Sequence, residues 1–312
     1  MANYTSFEEF PNTDTPSLVT IGVFDGLHIG HQELISSLVK DAKARGLRAV
    51  LVCFFPHPDR VIAGIQEPYY LLHPDTRATM LLEMGIDDVL TLKFTDELRH
   101  MRAKDFVQKL LKHLNMQVLR IGSDFALGYQ REGNIDFLKQ ASLEYHFELE
   151  IIDLLHHDDY QLRYSSSEIR RLLSVGDMAL VKTLLGRFYT IQGQVVPGDQ
   201  RGRTIGFPTA NISVWEELIV PQNGVYATFI TIDAKVYQAV VNIGFRPTFD
   251  GQTQTIEAYI LDFDQDIYGA MVQLEFVKQL RPEIKFNGIN ELIAQIQNDV
   301  QAARDILNTY PV

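Results

Sequence analysis

Residues 22–31 read Gly22-Val23-Phe24-Asp25-Gly26-Leu27-His28-Ile29-Gly30-His31, and they connect two segments of different periodicity. The apolar run at 18–21 is typical of a buried strand, and the apolar spacing over 31–45 is helical. A glycine-rich turn between a strand and a helix directs the free N–H groups and the positive dipole end of the helix at whatever occupies the turn. The stretch therefore predicts an anion-binding site.

The two histidines of this turn add hydrogen-bond donors to the predicted site. The pattern His28-Ile29-Gly30-His31 differs from both familiar phosphate loops, because no Gly-Lys-Ser/Thr closes it and no G-x-G-x-x-G opens it. It resembles the signature of the nucleotidylyltransferase superfamily, which implies a nucleoside triphosphate over the first strand–helix turn. The structural alternative is a tight turn with two solvent-facing histidines.

Length and composition limit the classes of protein to which the chain can belong. The chain has 312 residues, which suggests about two domains, and its 46% hydrophobic and 22% charged content is that of a globular protein. The net charge of −12 argues against nucleic-acid binding, which gains affinity from basic surfaces. The single Cys53 excludes an internal disulfide. We expect a cytoplasmic protein, since we find neither a signal peptide nor a membrane-spanning run.

The first half of the chain alternates between strand and helix patterns. Such alternation predicts an α/β domain with a Rossmann-like parallel sheet, helices on both faces, and ligands at the carboxyl ends of the strands. The predicted strands are 18–23, 49–55, 88–92, 118–121 and 147–152, and the predicted helices are 31–45, 75–84, 103–114 and 134–145.

Further motifs follow three of these predicted strands. They are Pro-His-Pro at 56–58, Gly-Ser-Asp-Phe at 122–125 and, after the fifth strand, Ser-Ser-Ser-Glu-Ile-Arg at 165–170. Ser165 and Glu168 have the spacing of a capping box, which predicts the start of a helix. A rigid proline turn and a simple helix cap are the structural alternatives for the first and last motifs.

Together with the turn at 22–31, these motifs resemble in order those of FMN adenylyltransferase, the N-terminal module of the bacterial bifunctional riboflavin kinase/FAD synthetase. The resemblance implies that His28 and His31 are catalytic and stabilise charge on departing pyrophosphate. Two departures are Ser167 and Leu127, where the family commonly has Thr and Phe. The implied ATP-binding residues are Gly22, Phe24, Asp25, Gly26, His28, His31, Asp124, Ser165, Ser166, Ser167 and Arg170, and the implied flavin-binding residues are Pro56, His57, Pro58 and Phe125.

The periodicity changes near Gly186, so we place the boundary between domains 1–186 and 187–312 there. Successive strands then follow without intervening helices, and one helix is predicted at 289–307. This pattern predicts a small antiparallel β-barrel with a C-terminal helix. The predicted strands are 189–196, 225–232, 236–243, 255–261 and 272–277.

The segment 198–211, between the first two of these strands, is a second candidate phosphate site. Its three glycines and two arginines make a pliable arch that can present N–H groups to phosphates. Thr209 and Asn211 offer the hard oxygen ligands that suit Mg²⁺. An irregular barrel loop is the structural alternative, but Pro208-Thr209-Ala210-Asn211 closely resembles the signature of riboflavin kinase.

Glu257 is the candidate base of this second site. Strand alternation places Glu257 and Tyr259 on one side and Ile256 and Ala258 on the other. A solvated strand carboxylate is the structural alternative, whereas the riboflavin kinase pattern makes Glu257 the catalytic base for the ribityl 5′-hydroxyl. The implied kinase residues are Gly198, Arg203, Gly206, Thr209 and Asn211 for ATP, Thr209 and Asn211 for Mg²⁺, and Tyr226 and Arg281 for the flavin.

The resemblance covers nearly the whole chain and implies two ATP-dependent reactions, riboflavin to FMN and FMN to FAD. The expected partners are the small molecules ATP, riboflavin and FMN, without nucleic acid or membrane, and protein partners are not predicted. One rival is the same architecture with a single active domain. The other is a flavin- or RNA-binding protein without turnover. RNA is disfavoured by the charge and by the lack of the Lys-Met-Ser-Lys-Ser motif that accompanies His-x-Gly-His in class I aminoacyl-tRNA synthetases.

Overall fold

The computed structural model describes residues 2–11, 13–152, 156–157, 162–198, 201–248 and 251–310, with the backbone alone at 156–157, 162–163, 201, 203, 246–248 and 251–253. Packing divides the chain into two compact units, Met1–Ser165 and Ser166–Val312. Each unit has its own sheet and is described separately.

The first unit contains a parallel sheet, as predicted, with six strands instead of the predicted five, because the unpredicted segment Ala2–Tyr4 pairs with the strand at 88–93. Its strands lie in the order β1-β4-β3-β2-β5-β6. The chain adds β3 and β4 on one side of β2 and then adds β5 and β6 on the other side, so the strand order reverses between β2 and β5. Ligands in open α/β sheets bind at such a reversal, outside the carboxyl ends of the strands. The strands are β1 (Ala2–Tyr4), β2 (Ser17–Ile21), β3 (Arg48–Phe55), β4 (Asp88–Lys93), β5 (Met116–Gly122) and β6 (Glu148–Ile152), and a separate pair is β7 (His156–His157) with β8 (Leu162–Arg163).

Helices cover both faces of this sheet because alternate strand residues belong to different apolar clusters. Val50 and Val52 of β3 pack on the side of α5 and α6, whereas Leu51 and Cys53 pack on the side of α1 and α3. Both faces are thus buried, as in parallel sheets generally. The helices are α1 (Ile29–Arg45), α2 (Pro58–Ala63), α3 (Pro74–Glu83), α4 (Asp96–His100), α5 (Ala103–Leu114) and α6 (Ile135–Tyr145), with a 3₁₀ turn at Tyr129–Arg131.

The second unit contains a closed six-stranded barrel, in the order β10-β13-β12-β11-β14-β9 with β10 pairing to β9. The predicted antiparallel barrel is confirmed, and it has one strand more than predicted, β10, which follows the Pro-Thr motif. The strands are β9 (Tyr189–Val196), β10 (Ala210–Val214), β11 (Gly224–Ile232), β12 (Lys235–Thr248), β13 (Gly251–Ile260) and β14 (Met271–Arg281), and the helices are α7 (Ser166–Ser174), α8 (Met178–Leu185), α9 (Arg201–Thr204) and α10 (Ile289–Leu307).

The C-terminal helix is confirmed over the predicted residues and packs on the outside of the barrel. Ala303 and Leu307 of α10 join Val225, Ala227 and Phe229 of β11 in one apolar cluster. Helices α7 and α8 also pack within this unit, because α8 contacts β9 and β14 and the Leu173 carbonyl accepts a hydrogen bond of 2.9 Å from the Gln222 N–H. In the described part of the chain, no helix is both long and apolar enough to cross a membrane.

Candidate active sites

The turn after β2 has an unusual backbone conformation. Phe24, Gly26 and Leu27 have φ angles of 54°, 79° and 45°. Residues other than glycine rarely adopt positive φ, and such strain is concentrated at functional sites. A side chain at Gly26 would place its Cβ 2.7 Å from Leu71 Cδ1, so the turn also lies directly against the segment before α3.

Asp25 holds this turn in place. Its side chain is 1% exposed, and its carboxylate accepts hydrogen bonds from the backbone N–H groups of Leu71 at 3.0 Å and Leu72 at 3.2 Å. Phe24 is also buried, with its ring 4.9 Å from that of His31. Asp25 and Phe24 therefore position the predicted nucleotide turn, and direct contact with ATP stays a prediction for both.

The two histidines lie together at the start of α1. Their rings stack with centroids 3.6 Å apart at 17°, and the His31 N–H donates to His28 Nδ1 at 3.2 Å. This hydrogen bond caps the helix and assigns the ring proton of neutral His28 to Nε2. His28 is only 6% exposed, so it is not the solvent-facing residue of the structural alternative. The first turn of α1 carries no acidic side chain, so its dipole favours an anion.

His31 has an unsatisfied polar atom beside this turn. Its Nδ1 is buried without a hydrogen-bond partner among the described residues, although the ring as a whole keeps some exposed surface. Burial holds the pKa of His31 well below its ordinary value of 6.5, and repulsion from His28 and Arg77 lowers it further. An unsatisfied imidazole nitrogen at a helix N-terminus leaves a polar atom for a ligand to hydrogen-bond.

We expect His31 to remain neutral in the native protein at pH values where histidine in the unfolded chain is already protonated. Between the depressed native pKa and 6.5 the unfolded state binds more protons, so this residue contributes stability above pH 6.5 that is lost as the pH falls. An NMR titration of histidine ring resonances tests this, with His31→Gln for assignment and the urea-unfolded chain as reference. A native His31 midpoint at or above that of the unfolded chain would contradict the prediction.

A cavity of about 510 Å³ opens at the carboxyl ends of the same strands. It is predominantly apolar and aromatic, and it includes Pro58 and Phe125, two of the four predicted flavin contacts. Pro56 and His57 are not among its lining residues. His57 instead caps α2, because its Nδ1 accepts the Asp59 N–H at 3.1 Å. The other aromatic lining residues are Phe54, Phe94, His100, Phe106 and Tyr129.

The remaining predicted residues of this first site are Asp124 and the serine motif at 165–170, and they differ in exposure and in the compact unit to which they belong. Asp124 follows β5 and is exposed, at the sheet edge where the other motifs end. Tyr164, just before Ser165, lies beside α1, since a Cβ on Gly30 would be 3.2 Å from Tyr164 Cβ. A helix begins at Ser166 as predicted, and the Glu168 carboxylate also pairs with Arg171 at 2.6 Å. Ser166, Ser167 and Arg170 belong to the second compact unit, and their contacts with ATP stay predictions.

The second site is a row of polar residues across three neighbouring barrel strands. Glu257 of β13 is directly opposite Asn211 of β10 on one side and Asn242 of β12 on the other. Side chains at paired positions share a face of the sheet, so the carboxylate lies between two amides. The predicted alternation is confirmed, because Ile256 and Ala258 are buried and Glu257 is half-buried. Sequence reasoning did not select Asn242.

The glycines of the arch allow its backbone to approach this row. A Cβ at Gly198 would be 2.0 Å from Asn211 Nδ2, and one at Gly202 would be 2.2 Å from the Phe207 carbonyl and 3.5 Å from Thr209 Oγ1. Any larger residue at Gly198 would therefore displace the Asn211 amide. The arch contains the short helix α9, and Gly206 has a φ of 87°. The predicted Arg203 side chain lies outside the described residues.

A cavity of about 440 Å³ lies next to Thr209. Its walls come from the Pro-Thr segment, the carboxyl ends of β9 and β13, and the loop that connects β13 to β14. Thr209 contributes a hydroxyl, and Asp264 and Asp266 contribute carboxylates. The cavity is large enough for part of a nucleotide and adjoins the predicted phosphate arch.

Tyr226 and Arg281, the two residues predicted to contact the flavin at the second site, make other contacts in the structure. Tyr226 is 0% exposed, its hydroxyl donates to the Gln222 carbonyl, and burial raises its pKa. Its burial in the barrel core argues against direct contact with a flavin. Arg281 makes an ion pair of 2.8 Å with Asp299 of α10 and also donates to the Pro282 carbonyl, so its guanidinium anchors α10. A flavin contact by Arg281 would compete with that ion pair.

The oxygen donors of the second site fit a divalent cation that is carried in by a nucleotide. Thr209 and Asn211 supply a hydroxyl and an amide oxygen next to the glycine arch, and both are hard ligands. Among the described residues, no group of three or more His, Cys, Asp and Glu side chains is arranged to hold a metal. The fit is therefore to an ion that takes most of its ligands from phosphate and water.

Comparisons with known proteins agree with this division into two sites. The family model described as FAD synthetase matches residues 10–168, and the one described as riboflavin kinase matches residues 185–307. A solved structure described as a macrolide-efflux protein from Streptococcus pneumoniae superposes with a TM-score of 0.87 at 28% identity, covering 97% of this chain and 98% of that chain.

Two relatives align with nearly the whole chain, and both are described as bifunctional riboflavin kinase/FMN adenylyltransferases. The relative from Bacillus subtilis (strain 168) is 37% identical over 291 residues, or 92% of this chain and 91% of its own. The relative from Escherichia coli (strain K12) is 37% identical over 290 residues, or 92% of each chain. The chain therefore belongs to the bifunctional riboflavin kinase/FMN adenylyltransferase family.

Proposed function

We propose that the chain makes FAD from riboflavin in two steps, each at one of the two candidate sites. The barrel site phosphorylates riboflavin with ATP, and the site at the sheet edge then transfers AMP from a second ATP to FMN. The observation that carries the proposal is the pairing of each site with the matching family: the histidine turn lies within the FAD synthetase match, and the Asn211–Glu257–Asn242 row within the riboflavin kinase match. We place the functional boundary after Gly186, although α7 and α8 pack in the second compact unit.

In the phosphorylation step, the ribityl 5′-hydroxyl oxygen attacks the γ-phosphorus of ATP and ADP leaves. Glu257 accepts the hydroxyl proton, and the flanking amides of Asn211 and Asn242 orient its carboxylate. The arch and the cavity at Thr209 hold the nucleotide, and the backbone N–H groups of the arch face its phosphates. Mg²⁺ held by Thr209 and Asn211 would neutralise charge on the phosphate oxygens.

In the adenylylation step, an FMN phosphate oxygen attacks the α-phosphorus of ATP, and the bond to the β-phosphate breaks to release pyrophosphate. The FMN phosphate is already ionised, so neither a protein nucleophile nor a base is required. His28 donates from Nε2, and the N-terminus of α1 adds its dipole, so both stabilise the charge that moves onto pyrophosphate. The aromatic cavity at the strand ends, with Pro58 and Phe125, holds the flavin ring.

Incubation of the chain with riboflavin, ATP and MgCl₂, followed by chromatography of the flavins, tests this function. FMN should appear first and FAD later, with pyrophosphate released in step with FAD. Supplied FMN should give FAD without riboflavin. Omission of the divalent cation should prevent formation of FMN. Unchanged riboflavin and unchanged FMN, with both flavins bound, would instead identify a carrier without turnover.

A further inference from the structure

Arg77 is a fully buried cation next to the nucleotide turn. It lies in α3 and is 2% exposed, and among the described residues no carboxylate is within ion-pair distance of it. Arginine is almost never fully buried unless it is paired, because removing a charge from water is expensive. The retention of Arg77 at this place therefore requires a compensating role.

The guanidinium of Arg77 bonds to two strand-end segments. Nη1 donates to the Val23 carbonyl at 2.9 Å, and Nη2 donates to the Phe54 carbonyl at 3.3 Å, with Cys53 Sγ at 3.5 Å. Its Nε is buried without a hydrogen-bond partner in the described part of the chain. The planar fork thus spans from the turn after β2 to the end of β3, which a single ammonium group could not do in the same geometry.

These two carbonyls belong to different substrate sites. Val23 lies in the strained turn before the histidines, where the nucleotide is expected, and Phe54 lines the aromatic cavity, where the flavin is expected. Asp25 ties the same turn to the backbone of Leu71 and Leu72, just before α3. The segment 71–77 therefore holds the turn at two points, through these backbone N–H groups and through the Arg77 guanidinium.

We propose that Arg77 is a positioning residue for adenylyl transfer, which fixes the nucleotide turn relative to the wall of the flavin cavity. The inference rests on the proposed function of this site. Phosphoryl and adenylyl transfers depend on alignment of the attacking oxygen with the phosphorus, and small displacements reduce their rate strongly. The buried positive charge has a second effect, since it adds to the potential that two polyanionic substrates meet when they bind.

The test is the steady-state kinetics of FAD formation from supplied FMN by Arg77→Met and Arg77→Lys. Arg77→Met should lower kcat roughly 100-fold, the size of a misalignment effect, with smaller changes in the KM values for ATP and FMN. Arg77→Lys keeps the charge but loses the hydrogen bond to one of the two backbone carbonyls. Its kcat should therefore fall roughly 10-fold, as for the loss of one charged hydrogen bond. Riboflavin phosphorylation by the same samples should match the wild type.

Arg48→Met is the matched control for lost stability. Arg48 is also a largely buried arginine with unpartnered nitrogens, but it begins β3, at the opposite end of that strand from the site, where it pairs with Asp88. The Arg48→Met variant should have a lower thermal unfolding temperature than the wild type and an unchanged kcat for FAD formation. Wild-type kcat in Arg77→Lys, or equal kcat in Arg77→Met and Arg48→Met, would overturn the positioning role. Lack of FAD synthesis by the wild type would instead refute the proposed function. If Arg77→Met does not fold, Arg77→Lys decides the test.

Discussion

Replacement of His28 by alanine should abolish FAD synthesis and leave the phosphorylation of riboflavin unchanged. His28 lies in the first compact unit and its Nε2–H is the donor assigned to the departing pyrophosphate, so its loss acts only on adenylylation. Removal of one preorganised donor of this type lowers kcat by roughly 100- to 1,000-fold. The measurement is chromatography of products from riboflavin and ATP, in which FMN should accumulate without FAD.

A second variant separates catalysis from the capping role of His28. Alanine also removes the N-cap of α1, which stabilises a helix by about 1 kcal/mol. His28→Asn keeps a good capping residue without the imidazole, and it should be as defective in FAD synthesis as alanine. His113→Ala is the matched control, because that histidine contacts Phe7 in the core and has no place in the site. FAD synthesis by His28→Asn near the wild-type rate would show that His28 serves only as a cap.

The strand–turn–helix units that bear the motifs were predictable from the sequence because their signals are local. The helix at 103–114 matches its prediction residue for residue, and α1 starts two residues earlier than predicted because His28 caps it with its side chain. The convergence of the turn after β2 with the ends of β3 and β5 followed from the rule that parallel strands present their carboxyl ends at one edge. Strand β10 was missed because its first residues belong to a motif that reads as a loop.

Residues whose roles depend on tertiary register could not be predicted in this way. Asn242 joins the site only because β12 pairs with β13 at Glu257, and neither strand alone contains that register. Arg77 lies in an otherwise ordinary helix, where a charged residue is expected to face solvent. Tyr226 resembled a ligand contact, but β11 is buried on both faces over nearly its whole length, so its tyrosine lies in the core.

The exchange of Glu257 for glutamine should give the opposite phenotype to the His28 variants. The change preserves the size and shape of the side chain, but it replaces one acceptor oxygen with an NH₂ donor and removes the carboxylate that accepts the hydroxyl proton. Loss of a general base lowers the rate by roughly 100- to 10,000-fold, so riboflavin should remain unchanged while supplied FMN is still converted to FAD. Glu275→Gln is the matched control, since Glu275 is a half-buried glutamate of β14 outside the polar row, and it should keep both activities.

The two phenotypes also test whether the sites act independently. A mixture of His28→Asn and Glu257→Gln contains one intact copy of each site on different chains. FMN is an ordinary product of the barrel site and an ordinary substrate of the site at the histidine turn. The mixture should therefore convert riboflavin to FAD, although neither variant does so alone. If Glu257→Gln failed with supplied FMN as well, Glu257 would be needed by both reactions, and the assignment of one reaction to each site would be wrong. If Glu257→Gln phosphorylated riboflavin at the wild-type rate, the row Asn211–Glu257–Asn242 would not contain the base.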